Sequence, residues 1–121
     1  MLLMAVGGCA TTGQTDTRLE HAARAVPVPA GLTFTDVHKQ SMDTGLSETL
    51  EVDVGYASPM SCSQLQQAWL TLLAKSHKSI TSNEVDGQTR QIDVHGLGAN
   101  VSIDLGDIGD CSRPYVAAQN N

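Results

Sequence analysis

Aromatic residues are nearly missing from this chain: Phe34, Tyr56, Trp69 and Tyr115 are all it has in 121 residues. A core with so few rings must be small and aliphatic, and a large apolar ligand cavity is not expected. Clustered basic side chains are lacking as well. Seven Lys and Arg stand against thirteen Asp and Glu, a formal charge of −6. That balance argues against nucleic acid, whose binding draws its affinity from Lys and Arg neutralising phosphates. It also repels the folded surface from anionic lipid headgroups, so residence at a membrane needs some other hold. No run approaches the ~18 uncharged apolar residues of a spanning helix.

Chemical motifs are scarce too. There is no hydrolase elbow, phosphate loop, paired zinc-ligand spacing or nicotinamide fingerprint in the chain. Cys62, at a helix start where the dipole lowers a thiol pKa, would need a histidine base. His38, His77 and His95 are the options. A disulfide is the competing role for Cys62, and the expectation is a non-catalytic protein without a cofactor. One constellation merits weighing. Asp104, Asp107 and Asp110 recur at spacing three around two glycines in "DLGDIGDC". Calcium takes oxygen ligands on flexible, Gly-containing loops, but not at this spacing in a helix-loop-helix site. These aspartates are weak candidates for a cation, and a strand end with solvated acids is the alternative.

What the sequence does have begins at its start. "MLLMAV" is apolar, and Gly7-Gly8-Cys9 leads into the small, polar run "ATTGQTDT". An apolar stretch ending in small residues is the pattern of an export signal near its cleavage site. Val6-Gly7-Gly8-Cys9 resembles the bacterial lipobox, an aliphatic residue and two small ones before a cysteine. The resemblance implies diacylglycerol on the Cys9 sulfur, cleavage before it, and acylation of the new amino end. Eight residues without Lys or Arg fall short of a full signal, so its true start is expected upstream. Two or three acyl chains hold a protein durably, each buried methylene contributing about 0.8 kcal/mol.

Residues 1–8 are thus read as the export signal and 9–28 as the lipidated cysteine and its tether. "TRLE" (Thr17 to Glu20) fits a capping box, with Leu19, Ala22, Ala23 and Val26 on one helical side. Short helix and flexible tether both remain open. Pro27 and Pro29 would end any helix. A single domain is expected over 29–121. There "LTFTDV" (Leu32 to Val37) is β-branched, with its alternation broken at Asp36. "TLEVDVGY" sends Leu50, Val52, Val54 and Tyr56 one way and Thr49, Glu51, Asp53 and Gly55 the other, predicting a half-buried strand. In "SCSQLQQAWLTLLAKSHK", Ser61 and Gln64 form a capping box, and Leu65, Ala68, Trp69, Leu72 and Leu73 form a helical stripe. Asp86-Gly87 reads as a hairpin turn, and "VSIDL" alternates again.

The predicted fold is α+β: about five antiparallel strands in the order ββαβββ, with one amphipathic helix on the apolar face. With Cys9 set aside, Cys62 and Cys111 can pair in an oxidising compartment, or remain two buried thiols. A "P-x-G" start, Pro29-Ala30-Gly31, followed by a hairpin and one amphipathic helix, is faintly similar to small uncharacterised bacterial envelope lipoproteins over residues 27–78. That likeness brings no activity with it. The functional expectation is a lipid-anchored accessory module of the cell envelope, facing outward or periplasmic and contacting another envelope protein. A small-ligand or calcium-binding lipoprotein is the alternative.

Overall fold

The computed structural model describes residues 11–43, 45, 48–76, 78–85, 88–107 and 109–120. The lipobox-like Val6 to Cys9, His77 and the expected Asp86-Gly87 turn lie outside the described residues. The elements are α1 (Thr11–Arg24), β1 (Thr33–Asp43), β2 (Glu48–Ala57), α2 (Cys62–Lys75), β3 (Ile80–Val85), β4 (Gln88–Val94), β5 (Asn100–Asp104) and β6 (Tyr115–Gln119). They build one antiparallel sheet in the order β1-β2-β6-β5-β4-β3. The α+β class is as expected, with six strands instead of about five and two helices instead of one among the described residues.

Strand β2 forms where its alternation predicts. Leu50, Val52, Val54 and Tyr56 are buried, and the residues between them are half-open to solvent. It pairs with β1, whose register shifts between Phe34 and Asp36, where the alternation of the sequence fails. A β-bulge explains both: one extra residue re-aims the strand. Gly55 sits against this irregularity, where a Cβ would meet Asp36 Oδ1 at 2.7 Å.

Helix α2 starts with the expected capping box. Gln64 N–H donates to Ser61 Oγ at 3.2 Å, and Ser61 N–H donates to Gln64 Oε1 at 3.0 Å. Leu65, Trp69 and Leu73 are fully buried, while Ala68 and Leu72 lie at the margin of the stripe. Trp69 is the largest buried side chain, and its indole N–H donates to the Pro27 carbonyl at 2.9 Å. That bond draws the proline segment against the core.

Two expectations need correcting. The segment for which short helix and tether were both open holds α1, described from Thr11 and thus not beginning at the Thr17 capping box. Leu19, Ala22, Ala23 and Val26 are buried in the same core as Trp69. The helix lies over β2 and β6, so the packed unit starts well before Pro29. The second correction is β6, which runs through the middle of the sheet between β2 and β5. Its Val116 and Ala118 are fully buried.

Cys62 and Cys111 are joined by a disulfide, with their Cα atoms 5.1 Å apart. The bond ties the first turn of α2 to the loop that feeds β6. Within that loop Gly106 holds φ at +127°, which a Cβ would oppose.

Two outcomes follow. Leu19→Ala should lower the unfolding free energy in urea by about 2–5 kcal/mol, as for a buried leucine; a tether residue would give no change. Reducing the Cys62–Cys111 bond, which spans 49 residues, should lower the urea midpoint by an amount equivalent to roughly 2–4 kcal/mol.

Candidate functional site

Both helices pack on one face of the sheet, and among the described residues no element covers the other. Alternation along each strand decides what that open face carries. From β2 come Glu51, Asp53 and Gly55; from β6, Tyr115, Ala117 and Gln119. Opposite them β5 places Ser102 and Asp104, and β4 adds Gln91 and Asp93. The centre is low because Ala117 faces Asp53 on one side and Ser102 on the other. A hollow therefore forms with small residues at its floor and carboxylates around it.

The carboxylates are held by specific bonds. Gln40 of β1 lies opposite Glu51, and its Nε2 donates to Glu51 Oε2 at 2.9 Å and more weakly to Asp53 Oδ2 at 3.4 Å. The Gln119 amide donates to the other Glu51 oxygen. Asp53 Oδ1 is buried, and among the described residues no donor reaches it. A carboxyl oxygen buried without a donor favours the protonated form. Burial, the hydrogen bond to Glu51 and the charges of Glu51 and Asp104 raise the Asp53 carboxyl to about 7. Burial opposes the Glu51 charge as well, but hydrogen bonds from Asp53, Gln119 and Gln40, with His38 nearby, carry it below the usual range. The two groups share one proton near neutrality.

Asp104 is a different case. Its Oδ1 accepts the Gly106 N–H at 2.9 Å and its Oδ2 accepts the Tyr115 hydroxyl at 3.1 Å. Burial, the Asp104 charge and this bond push the Tyr115 phenol up to about 12. Asp107 lies 3.7 Å from Arg90, and Asp110 Oδ1 accepts from the backbone and hydroxyl of Ser112. Each of the three aspartates proposed from spacing thus serves its own local partner. Among the described residues no group of three His, Cys, Asp or Glu is placed to hold a metal ion.

Cys62 is consumed by its disulfide and holds no free thiol. His38 stands on the open face opposite Asp53, and the His95 ring lies 3.4 Å from Thr81 Oγ1. Sequence reasoning missed Tyr115 and Gln119 because it missed β6. The available signal was "YVAAQ", a short apolar run just after Pro114.

The shared proton sets a pH dependence. Asp53 binds its proton more tightly folded than unfolded, so its contribution to stability is complete below about pH 4 and is lost as pH rises toward 7. Asp53→Asn keeps a hydrogen atom toward Glu51 and removes the ionisation. Chemical denaturation should show the wild type losing stability relative to this variant across that window; parallel profiles would contradict the shared proton. No family model, curated protein or solved structure matches this chain.

Proposed function

We propose that this protein is a lipid-anchored, non-catalytic interaction module of the bacterial cell envelope. Cys9 carries the acyl chains, and the open face of the sheet docks another envelope protein. The observation that carries the docking role is the uncovered face itself. It presents a low floor of Gly55, Ala117 and Ser102 bordered by Glu51, Asp53, Asp93 and Asp104. An antiparallel sheet with one packed and one wet face is ordinary. What distinguishes this one is that its wet face bears a carboxyl, Asp53, whose charge burial and the neighbouring Glu51 make unfavourable, where a neutral β-former would be more stable. Such a face is complementary to a partner surface bearing Lys and Arg, with electrostatics setting the encounter rate and the orientation.

The anchor rests on the lipobox resemblance of Val6-Gly7-Gly8-Cys9 and on an acidic surface that would not hold to anionic lipid by itself. No described helix is long and apolar enough to cross a membrane.

Two measurements test the reading. Growth with a clickable fatty-acid analogue should label the wild type and leave Cys9→Ala unlabelled; equal labelling rejects the anchor. A photocrosslinker in place of Gln91, on the open face, should trap a partner in intact cells, whereas one in place of Gln67, exposed on α2, should not. Glu51→Lys should diminish the Gln91 adduct severalfold. Recovery of the monomer alone, or an adduct indifferent to Glu51, counts against docking on this face.

A further inference from the structure

We infer that the fold stands directly on the bilayer in one orientation, with the α1 start and the β4–β5 turn toward the lipid and the disulfide end away from it. The inference rests on the acylation of Cys9 proposed above and adds the surface that meets the membrane. Its first ground is chain length. Cys9 precedes Thr11 by two residues, which span at most about 7 Å. Thr11 opens a helix whose Leu19, Ala22, Ala23 and Val26 are buried in the core. A lipidated sulfur thus lies two residues from the described start of that helix.

The second ground is direction. Helix α1 runs about 21 Å, from 14 residues at the usual rise. Near its C-terminal end Arg24 covers the Phe34 ring, at the start of β1. Earlier in the helix, Arg18 donates to the Gly98 carbonyl at 2.9 Å, in the turn between β4 and β5. The register places that turn beside Asn100, Gln119 and the start of β2, with the beginning of β3 adjacent. All of these lie at the end of the sheet where α1 begins. The Cys62–Cys111 bond and the 105–114 loop occupy the opposite end.

Length and direction together select this pose. The open face stands alongside the membrane normal, accessible from the side.

The test uses the full chain in its native membrane, with p-benzoylphenylalanine in place of His95 at the anchored end or Arg113 at the far end. Illumination should give phospholipid adducts at position 95 and none above background at position 113. Equal or reversed adducts on a chain whose Cys9 is acylated by mass spectrometry overturn the orientation while leaving the anchor standing. A bare Cys9 thiol overturns both. A Gly/Ser linker of about twenty residues between Ala10 and Thr11, reaching roughly 25 Å, should abolish the asymmetry. Asymmetry that survives the linker overturns the role of the short tether.

Discussion

The return of β6 to the middle of the sheet is the pairing on which the architecture depends. Without it, β1–β2 forms one hairpin and β3–β4–β5 a separate meander, each with an exposed inner edge. Inserted, β6 satisfies the backbone groups of β2 through residues 51–55 and those of β5 through residues 100–104. Both long edges are thereby closed, and the six strands share one core. Because β6 is only five residues long, its two ends need holding. The Asn120 side chain accepts from Leu50 N–H at 2.7 Å at one end. At the other, Tyr56 N–H donates to the Pro114 carbonyl, and the Cys62–Cys111 bond fixes the approaching loop to α2. A loop closure of this length is where a disulfide constrains the unfolded chain strongly.

Once β6 is in place, the period-two alternation of each strand divides the molecule into two chemistries. One face takes Leu50, Val52, Val54, Ile92, Ile103 and Val116, over which the helices lay Leu19, Leu65, Trp69 and Leu73. Helix α1 covers β2 and β6, and α2 reaches β4. Bonds join the layers: Trp69 reaches the Pro27 carbonyl, and Gln66 Oε1 accepts the Thr89 N–H at 2.8 Å. With so few aromatics, a single tryptophan at the junction of helix, proline segment and sheet fills the widest gap. The opposite face receives the polar residues that alternate with the buried ones, among them Glu51, Asp53, Asp93 and Asp104.

Legibility in the sequence followed the strength of local pattern. Strand β2 has four consecutive period-two matches, and helix α2 has both a capping box and a complete apolar stripe; each stands where it was expected. The break at Asp36 in the β1 alternation also had a structural meaning, as a bulge. Strand β6 was hidden because Ala117 and Ala118 are weak strand formers and the five residues carry no turn signal of their own. Its stability comes from two neighbours distant in sequence, which no local window registers. Helix α1 was half visible: its stripe was correct, but Pro27 and the polar run before it made a tether equally plausible. Burial against β2, a tertiary effect, decided between them. The open face was unreadable for the same reason, since half of its side chains arrive on β6 and β5 from the far end of the chain.

The placement of Asp53 separates what folds this protein from what it presents. Two acids two residues apart on one strand share a face by geometry alone, so Glu51 and Asp53 were bound to meet. The cross-strand neighbours are what make the meeting costly. Gln40 and Gln119 both donate to Glu51 and fix it as the charged member, while Ala117 brings no donor to Asp53. A threonine at position 53 would satisfy the sheet without any of this. Local rules broken without a gain in stability are where function is sought. The broken rule here sits at the centre of the only sheet face, among the described residues, that the helices leave open. On that ground the open face, and not the disulfide loop with its three aspartates, is the surface we propose for docking.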